Sequence, residues 1–143
     1  MFKDDYELDG VAISSCGSID VENAVIDSVW ALPFLQGIPW REVIQKELGL
    51  NCEIENDANC AALSEVYFGE AQDIKDMAFF VIGTGVGGAI SQRDDFVERL
   101  MEEYNMIREK IGMDIITPNL KCCTYRQDAN LLGALANYIG RNE

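Results

Sequence analysis

At 143 residues the chain has the length of one ordinary domain, enough to bury a core. Its 11 basic side chains face 25 acidic ones, and a net charge of −14 argues against nucleic acid or an anionic membrane surface as partner. The sequence has no histidine, which removes Ser-His-Asp and Cys-His pairs, His-ligated zinc and an imidazole base, and leaves a carboxylate as the leading acid–base group.

In chain order, the apolar run Leu8 to Ser14 predicts a buried strand that enters a small-residue loop, Ser14-Ser15-Cys16-Gly17-Ser18. Residues Ile19 to Leu32 read as a short strand or hairpin, and Pro33, Gly37 and Pro39 mark a loop. Trp40, Val43, Ile44 and Leu48 recur at helical spacing, with Gly49 as the stop. A strand over Asn51 to Glu55 ends at Asn56-Asp57, and an alanine-rich helix from Ala58 to about Phe68 follows. The strongest buried-strand signal is Met77 to Ile82, which runs into Gly83-Thr84-Gly85-Val86-Gly87-Gly88. An amphipathic helix is predicted over Asp94 to Ile111, and Ile115-Ile116 reads as a short strand. The last helix spans Ala129 to Ile139, with Leu131, Leu132, Leu135, Tyr138 and Ile139 on one side and Asp128 placed to cap it. Strands alternating with helices predict an α/β layer with parallel strands.

The N-terminus lacks the apolar core of a signal peptide, and no apolar run reaches the length of a membrane span. The five cysteines are odd in number and form no C-x-x-C, so they read as free thiols in a reducing cytoplasm.

Two segments have the residue types for chemistry. In Glu55-Asn56-Asp57-Ala58-Asn59 a strand hands over to a helix, and the carboxyl ends of strands in an open α/β sheet face the usual ligand crevice. A carboxylate there can take a proton from a substrate hydroxyl while a neighbouring amide holds another hydroxyl. Asp57 has a second reading, as the N-cap of the following helix. In Gly83 to Gly88, four glycines in six residues let backbone N–H groups approach a phosphate, and Thr84 adds a hydroxyl. A tight hairpin without a ligand is the alternative.

In this order the segments resemble the ROK family of bacterial sugar kinases and sugar-responsive repressors. Gly10 to Asp20 is similar to the family's first sugar-side loop, Glu55 to Leu63 to its strand-to-helix catalytic motif, Gly83 to Gly88 to its second phosphate loop, and Asp128 to Ala134 to its last helix. The resemblance implies a partial actin-like ATPase / RNase H-like fold, with residues 1–90 as part of the N-terminal kinase lobe and 91–143 as a helical remnant of the C-terminal lobe. It implies phosphorylation of a hexose from ATP and Mg²⁺. Asp57 would then be general base, Asn56 and the backbone around Gly17 would hold sugar hydroxyls, and Gly83, Thr84 and Gly85 would hold ATP phosphates.

The sequence also departs from the family pattern. No Asp-x-Gly-Gly-Thr loop precedes Gly10, and the Glu-x-x-Gly-His sugar motif and the cysteine-rich zinc site are not in the sequence, so the family's structural zinc is not expected. A fusion of two glycine-rich turns around Gly87 to Phe96, with the segment between them deleted, accounts for these departures and predicts impaired activity. The alternative is a non-catalytic sugar- or nucleotide-binding remnant, or a fragment that forms homo-oligomers through exposed strand edges. Small-molecule sugar and ATP are the expected ligands; nucleic acid and membrane are not.

Overall fold

The computed structural model describes residues 7–72, 79, 96–112 and 123–142. The strand predicted over Met77 to Ile82 (apart from residue 79), the turn Gly83 to Gly88 and the pair Ile115-Ile116 lie outside the described residues.

Strand β1 (Gly10–Ser15) runs into β2 (Ser18–Asp20), which turns back as β3 (Val25–Ser28); helix α1 (Trp40–Leu48) then leads to β4 (Asn51–Asn56) and α2 (Asp57–Tyr67). Helix α3 (Phe96–Ile111) and helix α4 (Ala129–Asn142) follow, the latter entered through a 3₁₀ turn at Arg126–Asp128. The parallel expectation holds for β1 and β4, which pair from Gly10↔Asn51 to Ser15↔Asn56. The region read as a strand or hairpin is the antiparallel β2–β3 pair. Gly49 ends α1 in the left-handed region, at φ 71°, and its N–H donates to Gln45 O at 3.0 Å, as expected where a Cβ would be penalised.

The β1–β4 pair separates two packed faces. On one, Ile54 joins Ala24, Ile26 and Val29 in a buried cluster, with Ile13, Cys16, Ile19, Leu35 and Trp40 packed around it. The other is covered by α2 and α4. Here the sequence pattern needs correction, because Leu131 and Leu135 of the predicted apolar side are exposed while Ala129, Gly133, Ala134 and Ala136 are buried. The reason is closeness. A Cβ on Gly133 would stand 1.7 Å from Cys60 O, so α4 meets α2 through small residues; Leu131 and Leu135 are left exposed and Leu132 half-buried. On α1, likewise, Val43 and Leu48 are exposed and Trp40 and Ile44 are half-buried.

One buried carboxylate ties this architecture together. Glu53 on β4 accepts at the same Oε2 from Arg41 Nη2 of α1 and from Arg141 Nε of α4, both at 2.9 Å. Arg41 Nη1 also donates to Glu22 O at 2.7 Å, and Arg141 Nη2 to Glu22 Oε1 at 3.1 Å. Removing one member of a buried ionic cluster strands the others. Glu53→Ala is therefore expected to lower stability by about 2–3 kcal/mol, below the full buried-pair value because both arginines keep partial contact with water. The shift of the urea midpoint checks this, with Glu53→Gln expected to fall between the two.

Candidate active site

The parallel register sets Ser15 beside Asn56, so the carboxyl ends of β1 and β4 share one rim. From β1 the chain enters the Cys16-Gly17 turn, and Gly17 has φ +106°, a conformation that side chains rarely adopt. A Cβ there would also stand 2.5 Å from Ser28 O and 2.9 Å from Val29 Cβ, so both conformation and space require glycine.

Asn56 links this turn to α2. Its Nδ2 donates to Gly17 O at 2.9 Å, while its Oδ1 accepts from Ala58 N at 2.9 Å and from Asn59 N at 3.3 Å. Asn56 is therefore the N-cap, which corrects the expectation that Asp57 serves in that role. The physical cause is where the strand ends. Asn56 keeps an extended backbone (φ −62°, ψ 143°) that sets its amide oxygen over the first free N–H groups, whereas Asp57 is already helical. Asp57 begins α2, with Oδ1 3.0 Å from the shared Ala58 N–H. Its half-buried carboxylate sits at the positive end of the helix, and capping does not depend on it. The bonds named above use one of the two Nδ2 hydrogens of Asn56 and leave the other for a ligand.

Glu55 and Asn59, to which the sequence alone assigns no role, meet at this junction. Glu55 Oε1 accepts from Asn56 N at 2.7 Å and from Asn59 Nδ2 at 2.9 Å, which braces the junction where strand becomes helix. The signal was their four-residue separation, one helical turn.

Below this rim lies Cys60, fully buried. Burial pushes its thiol up to about 11; a hydrogen bond with Ser14 opposes the shift, and the charges of Glu55 and Asp57 add to it. The unfolded thiol ionises first, near the ordinary value of 9.0, so the unfolded state binds fewer protons between those two values. The stability contributed by this protonated thiol is thus intact below pH 9 and declines as pH rises toward about 11. Urea midpoints taken across that window are expected to fall less steeply for Cys60→Ala than for the parent chain.

Of the expected site residues, the structure brings Gly17, Asn56 and Asp57 together on one rim. Gly83, Thr84 and Gly85 lie outside the described residues. Among the described residues no group of three or more His, Cys, Asp or Glu side chains is placed to hold a metal ion, and no described helix is long and apolar enough to cross a membrane.

Comparison with known proteins bears on the same segments. The model of the ROK family matches residues 2–100. A β-glucoside kinase from Listeria monocytogenes is 35% identical over 91 residues, which is 64% of this chain and 31% of that protein. A glucokinase from Thermotoga maritima is 29% identical over 120 residues, 84% of this chain and 37% of that protein. The matched region thus spans about a third of each of these relatives. Among solved structures, a ROK family protein from Streptococcus pneumoniae in complex with sucrose superposes with a TM-score of 0.68 at 20% identity, covering 96% of this chain and 82% of that one. These likenesses show the fold, an α/β arrangement of the actin-like ATPase type.

Proposed function

The chain belongs to the ROK family, and from that premise we propose that it serves ATP-dependent phosphorylation of a hexose or β-glucoside hydroxyl. Asp57 is the general base. It accepts the proton of the sugar hydroxyl as that oxygen attacks the terminal phosphate, from a position at the first turn of α2. Asn56 and the backbone at Gly17 hold neighbouring hydroxyls, and Gly83, Thr84 and Gly85 grip the phosphates of the nucleotide. Mg²⁺, bound together with ATP, would supply charge neutralisation at the phosphates. The donor set of the described residues gives it no site of its own, so no described side chain is assigned to it. The free thiols and acidic surface suit a reducing cytoplasm.

The observation that carries this reading is the Asn56 side chain. By capping α2 and holding Gly17 O, it joins the sugar-side turn to the catalytic segment and takes the N-cap position in place of Asp57. The relatives' names, β-glucoside kinase and glucokinase, supply the acceptor class.

A coupled assay of ADP release over a panel of hexoses and β-glucosides tests the proposal. Turnover with at least one sugar, lost in Asp57→Ala, is the expected result; no turnover with any sugar overturns it. A second reading, sugar or nucleotide binding without turnover, is favoured by the absence of histidine and hence of the Glu-x-x-Gly-His sugar motif. Under it, ligand binding persists while phosphorylation is absent.

A further inference from the structure

A third chain segment reaches the rim that holds Asn56 and Asp57. β3 ends at Ser28, which pairs with Ser18 at the start of β2, so the end of β3 lies beside the Gly17 turn. The contacts confirm this, since the Cβ position at Gly17 falls against Ser28 O and Val29 Cβ. Val29 is buried and belongs to the core, but the next residue, Trp30, is 98% exposed. Leu32 and Phe34 are exposed along the same connection.

Core formation does not explain this arrangement. Burying an indole is strongly favourable, and this one contributes nothing to packing. A tryptophan held at a rim offers a broad flat apolar face with one N–H donor, and small-molecule sites combine such faces with a few fixed polar groups. The polar groups here are the spare Asn56 N–H and the Asp57 carboxylate. We propose that Trp30 is a specificity-determining stacking platform: the C–H face of a pyranose ring lies on the indole while the ring's hydroxyls reach the Asn56–Asp57 end of the rim. The ligand is a neutral hexose or hexoside, so this rests on the sugar-site reading above. A second copy of the chain is a poorer occupant, because two bodies of charge −14 repel.

The test is calorimetric titration of the full chain with glucose and with phenyl β-D-glucoside, with tryptophan emission followed in parallel. The chain has two tryptophans, and Trp40 is packed against the core, so a sugar-induced blue shift reports Trp30. Trp30→Ala is expected to weaken binding about tenfold and to abolish the shift, while Trp30→Phe keeps most of the affinity, the scale of one aromatic contact. Neither variant should change the melting temperature, since the side chain packs against nothing. Unchanged affinity in Trp30→Ala overturns the platform and leaves the sugar site standing. Light scattering that shows a dimer dissolved by Trp30→Ala overturns it in favour of a second copy. No heat from either sugar with the parent chain overturns the sugar-site reading and the platform with it.

Discussion

Asp57→Asn is expected to lower phosphoryl transfer by about 10²–10⁴-fold, the range for loss of a general base, while leaving the fold nearly intact. The two halves of that expectation have separate causes. The amide cannot accept the proton of the attacking hydroxyl, so kcat falls while KM for the sugar stays within a few-fold. The fold survives because the cap is Asn56, whose Oδ1 accepts from both Ala58 N and Asn59 N, whereas Asp57 Oδ1 only shares the Ala58 N–H. What Asp57 adds to stability is its charge at the start of α2, worth about 0.3–1 kcal/mol. Asn56→Ala should show the opposite balance, losing about 1–2 kcal/mol of capping together with the bond to Gly17 O. Steady-state kinetics and urea titration on both variants check the contrast; equal destabilisation by the two would contradict it.

Gly133→Ala is expected to be the most destabilising single methyl addition in the described residues, costing about 3 kcal/mol or more. The added carbon would meet Cys60 O at 1.7 Å and Cys60 C at 2.2 Å. Both are backbone atoms of α2, so no side-chain rotation relieves the clash, and α4 must move away from α2. That movement also strains the ion pair of Arg141 with Glu53 and the bond from Tyr138 OH to Asp9 O, 2.8 Å in the parent. Because α2 begins at the rim, sugar binding should weaken along with stability. Leu131→Ala is the control: this side chain is exposed, and its loss should change stability by no more than about 0.5 kcal/mol. Thermal melts of the two variants decide the matter.

The contrast between Leu131 and Gly133 shows which parts of the fold are legible in the sequence. Local rules worked where local physics decides: the 3.6-residue spacing over α1 and the left-handed stop at Gly49, and the strand ending where Asn56-Asp57 begins a helix. They failed where the partner decides. Periodicity marks leucines as inward, but it does not reveal that α4 approaches α2 so closely that only glycine and alanine fit between them. Nor does it show that the C-terminal helix returns to β1, where a Cβ on Gly10 would collide with the Tyr138 ring.

The candidate site was legible in residue type and less so in role. Asn56 and Asp57 are adjacent and both are good capping residues, so composition does not choose between them; the backbone angles at the end of β4 do. The contact between Gly17 and Asn56 spans 39 residues, and only the parallel pairing of β1 with β4 brings it about. Trp30 carried no motif at all. Its significance comes from where β3 ends.

On the proposed function, the rim formed by Gly17, Asn56 and Asp57 holds a sugar. Backbone amide NMR during titration with glucose tests it most directly. Saturable shifts concentrated at residues 16–18 and 56–59, abolished in Asn56→Ala, are the expected result. Saturable shifts confined to other segments, or none at millimolar sugar, would contradict it.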